Sequence, residues 1–197
     1  SKTGALPLEK TDFELSLSGG TATLASKNPT SIMKTETGYK LTIGINGLAD
    51  GSEKLTIDLA SDAVFDGNEN VADASQSNNV LSLREKTPPT IVSTTLSEDN
   101  IKAVVTMSEP VFKASNGTGA LQTTDFSLAL TGGSATLQNS TPTAISVDGN
   151  KYTLTISYNG VANGTETLTI TPVANNIFDA MGNVAATAQS NNKPVSY

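Results

Sequence analysis

The stretch TDFELSLSGG at residues 11–20 returns as TDFSLALTGG at residues 124–133. Each copy places apolar side chains at every second position, Phe13, Leu15 and Leu17 in one and Phe126, Leu128 and Leu130 in the other. That is the spacing of a strand with one buried face. Each copy ends in two glycines, Gly19-Gly20 and Gly132-Gly133, a pair that tolerates positive φ and so signals a hairpin turn. Outward from this stretch the duplication runs without a gap from Asp12 to Asn79 and from Asp125 to Asn192, at a constant offset of 113 residues. The copies share A-T-L, P-T, Y-x-L-T-I, N-G-x-A-x-G-x-E, L-T-I, F-D-x-x-x-N-V-A and Q-S-N-N. A fixed period of this kind marks a repeat architecture.

Between the copies, Thr87-Pro88-Pro89-Thr90 removes backbone donors and favours extended chain, which makes it a joint rather than part of a helix or central strand. The expected division is 1–86 and 87–197. In the second module, Ile91–Leu96 and Ile101–Met107 read as a hairpin about the turn Ser97–Asn100. Strands follow at Phe126–Leu130, Ala135–Leu137, Ala144–Val147, a long one over Tyr152–Tyr158, Glu166–Thr171, and a last one near Pro194–Tyr197, matched in the first copy by Val80–Leu83. Seven or eight short strands in roughly 110 residues, with turn signals about every 8–12 residues, predict a β-sandwich. No long segment has helical periodicity, so the fold class is all-β.

Composition narrows the function. Net charge is −7 with 12 basic residues, and the lysines are scattered rather than striped, which disfavours nucleic acid as a partner. Histidine, cysteine and tryptophan are absent, which removes thiolate metal sites and the usual nucleophile–base pairs. Paired carboxylates such as Asp58 with Asp62, or Asp66 with Glu69, lack the flanking aromatic platform of a glycosidase. No apolar run reaches the ~20 residues of a membrane-spanning helix. The sequons at Asn116, Asn139 and Asn163 arise readily by chance in a chain this rich in Asn and Thr. Tyr152 and Tyr158 could stack on a sugar, but their alternate spacing is more simply that of core or sheet-surface residues.

At Thr87-Pro-Pro-Thr-Ile-Val-Ser, Val104-Val-Thr-Met-Ser-Glu-Pro-Val and Phe178-Asp-Ala-Met-Gly-Asn the chain resembles the bacterial Ig-like repeats of surface-layer and adhesin proteins. The resemblance implies tandem Ig-like β-sandwich modules in an extracellular or cell-surface array, acting as spacers or adhesive elements beside neighbouring repeats. It spans Thr87 to Tyr197 and, less completely, Ser1 to Lys86. The first copy departs from the pattern in lacking the upstream Ser-Glu-Pro and in reading Asp66-Gly-Asn-Glu-Asn70 where the second has a glycine before the final Asn. Aligning Thr3–Leu6 with Thr118–Leu121 leaves the first module without its two N-terminal strands, the counterparts of Thr87 to about Gly117. Either the chain is a piece of a longer array, or a strand from another molecule fills the gap and builds a filament by donor-strand complementation. A third reading is a carbohydrate-binding accessory module with a surface glycan or protein ligand.

Calcium is the one cofactor the residues suggest. In a sandwich with these connections the loop after the second strand and the loop at 179–183 fall at one end, which would gather Glu109, Asp179 and Asn183, with Asp50 or Glu85 of the first module completing an interdomain oxygen site. Asp66 and Asn70 form a weaker counterpart in the first copy. The competing reading is a plain turn in which the Asp caps backbone N–H groups. The series Asp58, Asp62, Asp66, Glu69 and Asp73 shares only Asp66 with the second copy, as Asp179, and so reads as solvated surface.

Overall fold

The computed structural model describes residues 7–189 and 194–196. Thr3–Leu6 and Tyr197, used above for alignment and for the last strand, lie outside the described residues. The chain divides into two units, one up to Thr87 and one from Pro88. Both are built from short strands, with one 3-10 turn ahead of the first strand of each duplicated block.

In the first unit the strands are β1 Phe13–Ser18, β2 Thr23–Leu24, β3 Ser31–Lys34, β4 Tyr39–Thr42, β5 Ile45–Asn46, β6 Lys54–Leu59 and β7 Val80–Ser82. They form a three-stranded sheet β1-β6-β7 and two-stranded ribbons β3-β4 and β2-β5. The second unit contains β8 Ile91–Leu96, β9 Lys102–Met107, β10 Phe126–Thr131, β11 Thr136–Leu137, β12 Ala144–Asp148, β13 Lys151–Thr155, β14 Tyr158–Asn159, β15 Thr167–Pro172 and β16 Val195–Ser196. Here β12-β13-β9-β8 form a four-stranded sheet, β10-β15-β16 a three-stranded sheet, and β11-β14 a ribbon.

Within the duplicated block the strand registers coincide, whereas the pairing of β6 with β7 and of β15 with β16, beyond it, differs by one residue. Phe13 faces Leu59 as Phe126 faces Pro172, Ser31 faces Thr42 as Ala144 faces Thr155, and Thr23 faces Asn46 as Thr136 faces Asn159. A one-residue slip would turn every apolar side chain to the other face, so a shared alternation enforces a shared register. In the second unit one core joins both sheets. Ile91, Ala103, Val105, Tyr152 and Leu154 come from one and Phe126, Leu128, Leu168 and Ile170 from the other. Phe126 and Tyr152 meet across it with ring centroids 6.3 Å apart, within the range at which aromatic pairs attract.

The TDF motif has a local cause. In each copy its aspartate ends the 3-10 turn and bonds back to the residue that opens it: Asp12 accepts from the Glu9 N–H at 2.7 Å, and Asp125 from the Gln122 N–H at 2.8 Å. This is a capping box, which ties down donors that the short turn leaves unpaired. Asp125 is fully buried and also accepts from Lys113 Nζ and from Asn176 Nδ2.

The long strand expected over Tyr152–Tyr158 is two strands. The Ile156 N–H donates to the Ile101 carbonyl at 2.8 Å, while the Ser157 carbonyl accepts from the Gln138 N–H at 2.9 Å. Between adjacent residues the chain therefore leaves β13 and its sheet to join β11 through β14.

Candidate functional site

The residues proposed for a cation fall in separate units: Asp50, Glu85, Asp66 and Asn70 in the first, Glu109, Asp179 and Asn183 in the second. Asp179 is fully buried, and both carboxylate oxygens receive donors. Its Oδ1 accepts from the N–H groups of Met181 and Asn183, both at 2.8 Å, and its Oδ2 accepts from Asn183 Nδ2 at 2.7 Å. Asp66 repeats this around Asn68 and Asn70, at 2.8–2.9 Å. The Asn70 amide, then the N–H groups of Asn70 and Asn68, hold the Asp66 carboxyl below its ordinary value of 3.8 against the opposing pull of burial. These donor sets are those of an aspartate capping a turn. Asp50 Oδ1 accepts from the Ser52 N–H at 2.9 Å and from its hydroxyl. Glu85 accepts from the Thr87 N–H, and Glu109 is half-buried. Among the described residues no three acidic side chains cluster in a way that could hold a metal.

The most organised polar feature was not among those candidates. Glu166 is fully buried. Its Oε1 accepts from the N–H groups of Ser134 at 2.9 Å and Ala135 at 3.1 Å, and its Oε2 from Asn163 at 2.9 Å and Gly164 at 3.1 Å. Glu53 does the same in the first unit with Thr21, Ala22, Asp50 and Gly51, at 3.0–3.1 Å. Burial pushes each carboxyl up, but the donated backbone hydrogen bonds outweigh it and bring both from 4.5 down to about 2. A carboxylate that accepts several N–H groups is held in its ionised form. The glycine pair makes the room: a Cβ on Gly133 would lie 2.0 Å from Glu166 Oε1, and one on Gly20 2.2 Å from Glu53 Oε1. The shared G-G and N-G-x-A-x-G-x-E motifs are thus one device. It pins two loops of a unit to the start of its next strand through a single buried anion. The signal available in the sequence was the glutamate itself, an acid kept in both copies while most of the surrounding acids differ.

The tyrosines do not form a sugar platform. Tyr152 is 3% exposed, with its hydroxyl donating to the Val111 carbonyl and facing the Val111 N–H, each at 3.2 Å, and the Tyr158 hydroxyl donates to the Asn100 carbonyl at 3.0 Å. The acids of the first copy are surface turn formers or strand residues, Asp58 accepting from Asn79 Nδ2 at 2.6 Å and Asp73 from the Ser75 N–H at 2.9 Å.

The two units differ most on one face. In the second, Tyr152 and Leu154 sit on β13 between β12 and β9, and Leu154 is fully buried. Their counterparts Tyr39 and Leu41 sit on β4, which among the described residues pairs only with β3. Tyr39 is 38% exposed and Leu41 half-buried. No family model, curated protein or solved structure matches the chain.

Proposed function

We propose that the chain is a non-catalytic structural or adhesive segment of an extracellular bacterial surface protein or fibre, built of tandem Ig-like modules. The observation that carries this reading is the strand order of the second unit. Counted from β8, its main strands pair as first-second-fifth-fourth in one sheet and third-sixth-seventh in the other, with β11 and β14 as a side ribbon. This order is the one expected of a constant-type Ig sandwich and supports the reading. Repetition of the same registers in the first unit supports a modular array, in which each repeat contributes its own core and a fixed increment of length. The polar interior serves internal fastening: among the described residues Glu53, Glu166, Asp125 and Asp179 are the buried charged side chains, and each accepts hydrogen bonds from the loops it ties together. A module of this construction presents a stiff, acidic surface, suited to holding something away from a cell or to lateral contact with its neighbours. Labelling of intact producing cells with an antibody against the chain tests the location. Strong labelling without permeabilisation is expected, and labelling only after lysis would overturn the surface reading.

A further inference from the structure

We propose that the open edge of β4 and the apolar face beside it receive a two-stranded β-hairpin of this same repeat type, carried ahead of β1 in the same polypeptide. The inference rests on the modular reading but not on where the protein resides.

The second unit supplies the template. There β13 is hydrogen-bonded on one edge to β12 and on the other to β9, with Tyr152 opposite Val105 and Leu154 opposite Ala103. In the first unit β4 keeps the first pairing at the identical register, and among the described residues the second edge has no strand. An unpaired edge leaves a row of main-chain donors and acceptors ready for an added strand.

The side chains show a deficit as well. Leu41 and Ile43 are half-buried where Leu154 and Ile156 are buried, and Ile57 and Val64 are half-buried where Ile170 and Ile177 are buried. By contrast Phe13, Leu15 and Leu55 are as enclosed as their counterparts Phe126, Leu128 and Leu168. Loss of packing therefore spares Phe13, Leu15 and Leu55 and falls on β4, whose counterpart β13 is flanked by β9, and on the stretch around Val64 and Asp66, whose counterpart pairs through Phe178 with Phe112. The missing strand must run antiparallel to β4 and carry modest apolar side chains at alternate positions, in the manner of Ala103, Val105 and Met107.

The occupant's source follows from two further observations. The chain enters β1 through the same capping box that leads into β10, Glu9 with Asp12 as Gln122 with Asp125, and in the second unit the segment feeding that box comes from β9. The entry geometry is thus already set for a hairpin ahead of β1. A second copy of the chain is a poor donor. Ile91, Ala103 and Val105 are fully buried in their own unit, so lending that hairpin would open one sandwich to close another.

The test fuses a copy of residues 87–117 ahead of the full chain and follows amide hydrogen exchange by mass spectrometry, which reads protection segment by segment. Exchange across residues 39–43 should slow by at least about tenfold relative to the unfused chain. The same fusion with Val105→Asp in the added copy alone should leave it fast. Unchanged exchange at 39–43 with the intact fusion overturns the proposal. So does protection of 39–43 in the unfused chain that rises with protein concentration, because that identifies a second copy as the occupant. Fast exchange at 151–155 in both proteins would instead remove the sandwich reading of the second unit, and the proposal with it.

Discussion

Leu41 and Leu154 are the same residue of the repeat in two surroundings, and truncating each to alanine measures what the flanking strands β8 and β9 contribute to the packing. Leu154 is fully buried and belongs to the core cluster with Ala103 and Val105 around it. Removing a fully packed leucine costs about 2–5 kcal/mol, because the transfer loss and the cavity left behind add. Leu41 is half-buried on a two-stranded ribbon whose outer edge, among the described residues, pairs with no strand. It has part of its transfer energy still unrealised and leaves no enclosed cavity, so Leu41→Ala should cost about 1 kcal/mol. At about 4 °C per kcal/mol for a unit of this size, the second unit should lose about 8–20 °C in Leu154→Ala and the first about 4 °C in Leu41→Ala. Thermal or urea unfolding of the full chain, with hydrogen exchange assigning each transition to a unit, gives both numbers. The reasoning fails if Leu41→Ala costs as much as Leu154→Ala, since Leu41 would then be as tightly packed as its counterpart.

Four further outcomes follow from the loops. Both buried glutamates have folded values near 2 against an ordinary 4.5, so their contribution is complete above about pH 4.5 and is lost as pH falls through 2; the urea midpoint should drop over that window, and Glu53→Gln with Glu166→Gln should flatten the drop. Gly133 and Gly149 have φ of +60° and +59°, but only at Gly133 does a Cβ meet an atom, Glu166 Oε1. Gly149→Ala should therefore cost about 1 kcal/mol of left-handed strain and Gly133→Ala distinctly more, by urea unfolding. Glu69 holds a φ of +67° at the turn where the second unit uses Gly182, so Glu69→Gly should stabilise the first unit by about 1 kcal/mol. Calcium at 100 times the dissociation constant of a specific site would add about 2.7 kcal/mol; because N–H donors already reach both oxygens of Asp179, millimolar calcium should leave the melting temperature unmoved, and a rise of several degrees would support the cation site.

What the sequence disclosed and what it hid divide along a physical line. Period-two alternation is a local property. It located β1, β6, β10 and β15, and the constant offset carried their registers from one copy to the other. The break between β13 and β14 is not local. Ile156 is buried and Tyr158 packs against the same core on either side of the switch, so the apolar alternation continues unbroken while the hydrogen-bond partner changes from Ile101 to Gln138. Asp179 was legible as a turn former or a ligand, and only the donors around it distinguish the two.

Glu166 was hidden for a different reason: each of its partners is an ordinary backbone N–H, which no residue type announces. Its meaning appears only when the loop at 134–135 and the loop at 163–164 converge on it. The two copies supply the comparison a single module lacks. Across the same 113-residue offset the half-buried Asp58 and the exposed Asp62 become Thr171 and Asn175, whereas Glu53 and Glu166 stay, each with its glycine pair. An exposed carboxylate can be exchanged for a hydroxyl or an amide because water solvates either. A buried one that satisfies four backbone donors cannot, since each orphaned N–H would carry its full desolvation penalty. The identity that persists between the repeats therefore marks what each unit needs to close its loops. The edge of β4 that is unpaired among the described residues is where the proposed hairpin would add to the core of the first unit.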